Sequence, residues 1–372
     1  MINYLILNLI ITFFAFLYLL FLKKMNLKTR FFYTFFLLLL FVITVTFRPL
    51  DSPDTLSYKL IFESSRDILR DVEHINLLSK YGTGDGSAEY GFIFFCALVN
   101  RLFPSYRVFF CILAMITSII IPLCINKIFF KQNNFNSFSV IFVIYIISFG
   151  ILYSGIAIRA GLGISLGLIS LVYAKEKKIL KCLFFVFIAF CIHRTAIVFT
   201  LANFVFLFSK RKETNILGHG FKRLILFEVF VIVVMMLLFH FGFKGITSEL
   251  LSFIKLDSYL SYMSTNTKLG ITKILICICI IALLFFVYEQ KLKIDRRVLF
   301  LIMLVPLFAV IFVDFFAASR LYDQFFILFI GLIGYIFVTY RKKISMRIPL
   351  LIWCSIILLN FIFLNTVFTF TS

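Results

Sequence analysis

Residues 155–167 read GIAIRAGLGISLG, a run of small and apolar residues that contains one arginine, Arg159. Gly163 and Gly167 form a GxxxG pair, and small residues at this spacing let helices in a membrane approach closely. The stretch therefore predicts a membrane-spanning helix that packs against other helices. A charged side chain in a hydrocarbon layer costs roughly 2.5–3.5 kcal/mol on insertion scales. We therefore expect Arg159 to lie inside the bundle, the alternative being that it extends to the lipid headgroups.

The whole chain is as apolar as this stretch. Of its 372 residues, 62% are hydrophobic, 53 are Phe and only 15% are charged, whereas soluble domains are about half apolar and a quarter charged. Apolar runs of about 18–22 residues, long enough to span a bilayer, recur along the sequence. The composition predicts an all-α polytopic integral membrane protein in which residues 1–372 form a single transmembrane domain.

The candidate spans follow directly from the apolar runs. We expect about 12 transmembrane helices, with both termini on the outer side. The candidate spans are 2–22, 31–47, 107–126, 135–153, 155–173, 180–193, 195–208, 221–242, 271–288, 298–313, 321–339 and 348–368. The first span lacks the basic start and the small-residue cleavage site of a signal peptide, so we expect it to be retained.

The net charge of +20 is explained by this topology. Lys and Arg cluster between the candidate spans, at 23–30, 127–131, 175–181, 209–223, 291–297 and 341–347. Basic loops stay on the cytoplasmic side of a membrane, and alternating the spans places all of these clusters there. The charge therefore predicts sidedness, and we expect no nucleic-acid partner.

Two long segments are then expected on the outer side, 48–106 and 243–270. Within the first, residues 55–80 carry apolar side chains at helical spacing with charged residues between them. This pattern predicts an amphipathic helix that lies on the membrane or on the spans. Residues 89–103 are apolar but too few to cross a bilayer, so we expect a re-entrant or interfacial helix there.

Metal and disulfide chemistry find no support in the sequence. The eight cysteines lie in or beside apolar segments without a CxxC pair, which is typical of small apolar fillers. The sequence also contains no DxD or HExxH motif. We therefore expect no cofactor and no metal site.

Four arginines from separate segments are expected at similar depths on the outer side. They are Arg48, Arg159, Arg194 and Arg320. Arginine suits multidentate phosphate recognition, so the four favour a shared anion, and a lipid diphosphate is the natural polyanion at a membrane surface. Departure of a diphosphate from a glycan develops negative charge, which fixed guanidinium groups stabilise. The alternatives are that Arg48 anchors at headgroups and that Arg320 pairs with Asp314.

Four groups on the outer side are candidates for general acid–base chemistry. They are Asp51, Asp54, Glu89 and His193. Three of them have simpler explanations: Asp54 as the cap of the helix that follows it, Glu89 as an acid at a helix start, and His193 as a surface turn residue. The residues alone leave the choice among the four open.

The order of these motifs resembles a known family. Five segments are similar to the EpsG-like, Wzy-type polysaccharide polymerases of bacterial O-antigen and exopolysaccharide pathways: FRPLDSPDTLSYKLIF (47–62), EYGFIFFCALVNRLF (89–103), GIAIRAGLGISLGL (155–168), FIAFCIHRTAIV (187–198) and ASRLYDQFF (318–326). The resemblance covers roughly residues 40–330. Family members often carry glutamine after the arginine of the small-residue run, where this chain has Ala160. They often carry HxS at the hairpin, where this chain has His193 followed by Arg194 and Thr195.

The resemblance implies a metal-independent glycosyltransferase of lipopolysaccharide or exopolysaccharide biosynthesis. Such an enzyme transfers a growing glycan from undecaprenyl diphosphate to the terminal sugar of a new lipid-linked repeat unit. It implies a multi-pass protein of the bacterial cytoplasmic (inner) membrane whose active site faces the periplasm or the outside. The implied partners are lipid-linked donor and acceptor oligosaccharides, membrane lipid and a chain-length regulator protein.

The resemblance also implies roles for individual residues. It assigns the donor diphosphate to Arg159, Arg194 and Arg320, and either diphosphate to Arg48. It assigns activation of the acceptor hydroxyl to one of the four acid–base candidates named above. The residues implied in contacts with sugar or phosphate are Tyr58, Tyr90 and Tyr322.

Three rival classes have different sequence requirements. A lipid-linked oligosaccharide flippase would line a central cavity with charge through both leaflets, whereas the charge that topology does not explain lies on the outer side. A membrane acyltransferase would need inward-reaching catalytic residues, which the sequence does not indicate. An O-antigen ligase has related chemistry and differs in its acceptor.

Overall fold

Helices make up the computed structural model, which describes residues 2–22, 25–50, 54–67, 89–130, 134–209, 226, 271–311 and 316–340. No strand occurs in these ranges, so the all-α prediction is confirmed for them. The predicted span 221–242, apart from residue 226, lies outside the described residues, as do the span 348–368 and the second outer loop, 243–270.

The helices are numbered here in chain order. The first six are α1 (Ile2–Phe21), α2 (Leu27–Thr46), α3 (Thr55–Ser64), α4 (Tyr90–Leu102), α5 (Tyr106–Phe129) and α6 (Phe135–Tyr145). The next six are α7 (Ile158–Lys175), α8 (Ile179–Ile192), α9 (Val198–Phe208), α10 (Ile271–Glu289), α11 (Arg296–Ile311) and α12 (Phe316–Tyr340). The irregular helical segments are the 3₁₀ turns Ser65–Asp67 and Arg194–Ile197 and the π-helical segments Ile146–Gly150 and Leu152–Ile156.

Several of these helices have the length and composition of membrane spans. Among the described residues, α2, α5 and α7 are long and apolar enough to cross a membrane, and shorter apolar helices accompany them. The chain is therefore consistent with a membrane-embedded protein. The predicted spans that fall on described residues coincide with helices, whereas the total of about 12 stays a prediction.

Side-chain caps explain where two of the spans begin. The side chain of Asn26 accepts a hydrogen bond from the backbone N–H of Thr29 at 2.8 Å, and α2 therefore starts four residues before the predicted position 31. Asn134 caps α6 in the same way, by accepting from the backbone N–H of Ser137 at 2.8 Å. Asparagine is among the residues preferred at such positions, because it satisfies a backbone donor that the helix leaves free.

The small-residue face of α7 packs as closely as the sequence predicts. A Cβ atom added at Gly163 would lie 2.9 Å from the Cβ of His193. A Cβ atom at Gly167 would overlap the ring of Phe199. The GxxxG pair therefore sets the distance from α7 to the segment that joins α8 to α9 and to the first turn of α9. This distance positions the end of α8 at the start of α7.

Two short helices, α3 and α4, pack over one end of the bundle. The first occupies the beginning of the predicted amphipathic segment 55–80, and its buried Tyr58 has its ring 5.8 Å from that of Phe92 in α4. The opposite face of α4 exposes Phe94 and Leu98. The helix predicted at 89–103 is thus present, and its interfacial or re-entrant position in a membrane stays a prediction.

Lysine and arginine side chains close the other end of the bundle. Lys175, at the end of α7, donates to the carbonyl of Lys127 near the end of α5 at 2.5 Å. Lys177 and Arg297 both donate to the carbonyl of Phe206 in α9, at 2.8 and 3.1 Å. Cations at carbonyls of helix C-termini are favourable with the helix dipole. We call this the basic end, and it gathers three of the predicted basic clusters.

Candidate functional site

Glu89 lies at the centre of a buried polar cluster at the opposite end of α7, which we call the site end. Its Oε2 accepts a hydrogen bond from Nη1 of Arg159 at 3.0 Å. Its Oε1 lies 3.1 Å from Nδ1 of His193 and accepts the backbone N–H of Arg194 at 3.3 Å. The structure therefore brings together three of the predicted site residues, Glu89, Arg159 and His193.

The backbone of α4 aims Glu89 at its neighbours rather than at its own helix. Glu89 precedes α4 with extended backbone (φ −68°, ψ 139°), and its side chain makes no cap hydrogen bond to that helix. Gly91 packs directly on the backbone of Cys191, where a Cβ atom would lie 2.6 Å from the carbonyl oxygen. This close approach of α4 and α8 brings the carboxylate within reach of the turn that carries His193.

The cluster is shielded from solvent. Glu89 is 9% exposed and His193 is 7% exposed, while the side chain of Arg159 is 14% exposed. Burial opposes ionisation of Glu89, but its hydrogen bond and electrostatic interaction with His193 and the charge of Arg159 outweigh burial. Together they lower the pKa of Glu89 to about 2, so the carboxylate is ionised at neutral pH.

Two nitrogen atoms of the cluster make no hydrogen bond to the described residues. Nε of Arg159 and Nε2 of His193 are buried and have no hydrogen-bond partner among the described residues. Buried polar groups in proteins are nearly always hydrogen-bonded. The cluster therefore has one guanidinium donor and one ring nitrogen available for further hydrogen bonds.

Tyr58 and Asp54 border the cluster on the side of α3. The ring of Tyr58 lies 5.7 Å from the guanidinium carbon of Arg159, within the range of a cation–π contact. Burial raises the pKa of Tyr58, the charge of Arg159 opposes that rise and the charge of Asp54 adds to it. Tyr58 is therefore a protonated phenol that can donate a hydrogen bond.

Asp54 does not cap α3 as we expected from the sequence. It occupies the N-cap position but has left-handed backbone (φ 60°), and its side chain makes no cap hydrogen bond. A non-glycine residue in this region is uncommon, although aspartate is among the residues that tolerate it. The simpler explanation of this carboxylate as a helix cap is therefore wrong.

Arg48 is buried inside the protein and does not extend to its surface. It is 5% exposed, its guanidinium carbon lies 3.7 Å above the centre of the Phe110 ring, and its Nε donates to Oγ1 of Thr55 at 3.0 Å. Thr55 opens the helix that carries Tyr58. Arg48 therefore ties the end of α2 to the helix that borders the cluster.

The remaining predicted site residues differ in what the structure describes of them. Arg194 is exposed and reaches Glu89 through its backbone N–H, not its guanidinium. Tyr90 is 58% exposed. Arg320 and Tyr322 lie in the first two turns of α12, and Asp51 is outside the described residues.

Sequence reasoning missed one polar contact beside the cluster. Nε2 of Gln324 in α12 donates to Oγ1 of Thr195 at 3.1 Å, two residues after His193. Gln324 is 1% exposed, and its Oε1 has no partner among the described residues. An uncharged amide directly before two phenylalanines was the available signal. The contact places the beginning of α12, with Arg320 and Tyr322, near the turn of His193.

Metal binding has no evident ligand set in this part of the chain. Among the described residues, no group of three or more His, Cys, Asp and Glu side chains is placed to hold a metal ion. The described cysteines form no disulfide with one another.

A bundle of apolar helices with a buried carboxylate, arginine and histidine at one end defines a membrane-embedded protein with a polar site near one surface. The chain matches the model of the EpsG family over residues 29–372 and belongs to that family. No curated protein and no solved structure matches it. Family membership confirms the resemblance noted in the sequence and supports a role of the exopolysaccharide polymerase type.

Proposed function

We propose that the chain is a polysaccharide polymerase, a glycosyltransferase that uses polyprenyl-diphosphate-linked glycans. It transfers a growing glycan from undecaprenyl diphosphate to the terminal sugar of a new lipid-linked repeat unit, on the outer face of the inner membrane. The observation that carries the proposal is the buried cluster of Glu89, Arg159 and His193, which presents unoccupied nitrogen atoms at one end of an apolar bundle.

The sidedness of the proposed site rests on the basic end. Lys127, Lys175 and Arg297 lie at the end of the bundle away from the cluster. Basic segments of membrane proteins remain on the cytoplasmic side, so the site end faces outward. A transferase on that face needs a donor that carries its own leaving group, because nucleotide sugars are made in the cytoplasm. A lipid diphosphate glycan meets that need.

The proposed roles of the arginines follow from charge and reach. Arg159 holds Glu89 through Nη1 and retains Nε for the donor diphosphate. Arg48, after the end of α2, and Arg320, in α12, are proposed to supply further positive charge. Fixed guanidinium groups stabilise the charge that develops on a departing diphosphate, so the reaction does not depend on a metal ion.

Tyr58, beside Arg159, is proposed to donate its phenolic proton to the phosphate or to a sugar hydroxyl. The exposed Tyr90 and Arg194 are proposed to contact the sugars farther from the reacting bond. A chain-length regulator protein is the proposed partner of the polymerase.

Deletion of the gene from its native strain tests this proposal. Surface polysaccharide is then separated on a gel. A polymerase deletion leaves single repeat units attached, and the wild-type gene on a plasmid restores the ladder. A deletion that leaves no repeat unit at all would indicate a flippase or a ligase and would overturn the proposal.

A further inference from the structure

We propose that His193 accepts the proton of the acceptor hydroxyl through its Nε2 atom, and that Glu89 is a positioning residue and not the base. This inference rests on the proposed function, because it assigns the acid–base roles within the same site. It selects one of the four candidates that the sequence left open.

The surroundings of Glu89 argue against its acting as the base. Its Oε2 is bonded to Arg159, and its Oε1 faces both Nδ1 of His193 and the backbone N–H of Arg194. Both oxygen atoms are therefore engaged by groups of the protein. These contacts occupy three of the roughly four lone-pair positions of a carboxylate, so an incoming hydroxyl would meet a carboxylate that is nearly saturated.

The same contacts fix the tautomer of the His193 ring in its neutral form. An ionised carboxylate only accepts hydrogen bonds, so the hydrogen of the neutral imidazole lies on Nδ1, toward Glu89. The lone pair of the ring is then on Nε2. That atom is buried and has no hydrogen-bond partner among the described residues. A neutral imidazole nitrogen held in this way is ready to accept a proton from a hydroxyl.

Arg159 places the leaving-group site next to this base. It binds one oxygen of the Glu89 carboxylate while His193 binds the other, at 3.0 and 3.1 Å. The proton acceptor and the phosphate donor are therefore tied to a single carboxylate. Because Nε of Arg159 is also without a partner among the described residues, the two unoccupied nitrogens suit the two ends of a displacement at a sugar carbon.

The transfer step follows from these positions. Nε2 of His193 removes the proton of the acceptor hydroxyl as its oxygen bonds to the anomeric carbon of the donor glycan. The bond from that carbon to the diphosphate oxygen breaks, and its electron pair leaves on the diphosphate beside Arg159. The imidazolium that forms is paired with Glu89 and then releases its proton to water or to the free diphosphate. This step does not require the carboxylates of Asp51 or Asp54.

The experiment uses purified full-length protein in proteoliposomes. The substrate is the lipid-linked single repeat unit extracted from the deletion strain, and the rate of elongation is followed on a gel. We expect His193→Ala to lower kcat by about 100-fold or more, the range for loss of a general base. Added imidazole should restore part of that rate, because it replaces the missing ring. Folding of each variant is checked by its melting temperature, and His193→Gln replaces His193→Ala if that variant does not fold.

The positioning role of Glu89 is tested by measuring kcat and KM separately in Glu89 variants. We expect Glu89→Gln to lower kcat by about 10-fold or more with little change in KM, and Glu89→Asp to recover part of the loss. The matched control is Asp295→Asn, which alters another buried carboxylate that is paired with an arginine, 2.8 Å from Arg297 at the basic end. That control should leave kcat and KM unchanged.

The outcomes separate the two proposals. Failure of the wild-type protein to elongate the repeat unit overturns the proposed function itself. With an active wild type, elongation by His193→Ala at the normal rate overturns only the role of His193. A loss that imidazole does not restore, together with a raised KM in Glu89→Gln, also overturns it, because both residues would then serve substrate binding.

Discussion

Two buried carboxylate–arginine pairs lie at opposite ends of the bundle and differ in how completely the arginine is bonded. At the basic end, Nε and Nη2 of Arg297 bind the two oxygens of Asp295 at 3.1 and 2.8 Å, and its Nη1 donates to the carbonyl of Phe206 at 3.1 Å. At the site end, Arg159 donates Nη1 to Glu89, and its Nε has no partner among the described residues.

Burial does not distinguish the two pairs, because all four side chains are between 5% and 14% exposed. Their bonding does. Arg297 and Asp295 are two residues apart and form a closed arrangement that fixes the start of α11. Glu89 and Arg159 are 70 residues apart and leave a buried donor open, which is costly unless a ligand fills it. The comparison indicates a structural pair at one end and a functional pair at the other.

Replacing the arginine of each pair with lysine should give the largest difference in polymerisation between the two pairs. We expect Arg159→Lys and Arg159→Ala both to give the single-repeat pattern at normal protein level, because an ammonium group cannot replace the guanidinium fork. The expected loss of polymerisation is on the order of 100-fold or more. Gel analysis of surface polysaccharide with an immunoblot for protein level measures it.

Arg297→Lys is the matched control at the basic end, and we expect it to retain the polysaccharide ladder. Normal polymerisation by Arg159→Ala would contradict the assignment of Arg159 to the donor diphosphate and would make the two pairs equivalent.

Acid should weaken the site end through Glu89. Its pKa is about 2 in the folded protein and has a reference value of 4.5. The stability that it contributes is therefore fully present above pH 4.5 and is lost as the pH falls toward 2, by up to about 3 kcal/mol. Melting temperatures of the detergent-solubilised protein between pH 7 and pH 3 measure this. The loss should be smaller in Glu89→Gln, and an equal loss in both proteins would show that Glu89 contributes nothing to it.

A methyl group at Gly161 should disturb the site end without touching its polar atoms. The added Cβ would overlap the backbone carbonyl of Tyr153, which cannot move as a flexible side chain can. We expect Gly161→Ala to lower stability by about 1–3 kcal/mol and to reduce elongation, because α7 and Arg159 must shift. The control is Gly334→Ala in α12, whose Cβ would lie 2.8 Å from the side-chain atom Cγ1 of Ile141 and 3.8 Å from its Cα atom. Equal tolerance of both changes in a thermal melt would contradict this.

The contact between α12 and the His193 turn should have the smallest effect. Replacing Gln324 with leucine removes its hydrogen bond to Thr195, and a typical hydrogen bond contributes about 1 kcal/mol. We expect Gln324→Leu to lower the melting temperature slightly and leave the protein level near normal. A Thr195→Val variant should give a similar loss, and the double variant should lose less than the sum of the two. Additive losses would show that the two side chains act independently.

The fold was readable from the sequence because, in the part of the chain that the structure describes, each apolar run of span length becomes a helix. The residues at which the helices begin and end were harder to predict. The predicted span 31–47 became Leu27–Thr46, since Asn26 caps the helix and Arg30 donates to the carbonyl of Leu22 at 2.7 Å. Hydropathy identifies the apolar run, whereas a polar side chain that caps the first turn determines where the helix begins.

The members of the site were also readable, but their pairing was not. Glu89, Arg159 and His193 were conspicuous as charged or titratable groups beside apolar helices. That a single carboxylate binds both other groups depends on contacts across 70 and 104 residues, which no local pattern encodes. Gln324 was missed because an uncharged amide in a helix has many ordinary uses.

The carbonyl of Phe206 at the basic end has a consequence for the order of assembly. Lys177 reaches this oxygen from the loop before α8, and Arg297 reaches it from the start of α11. A carbonyl oxygen can accept two hydrogen bonds. During synthesis, Lys177 can therefore fasten the end of α9 as soon as residue 206 has been inserted, well before α11 is made. Arg297 then joins by adding a second donor, so the later helices dock onto a unit that has already closed.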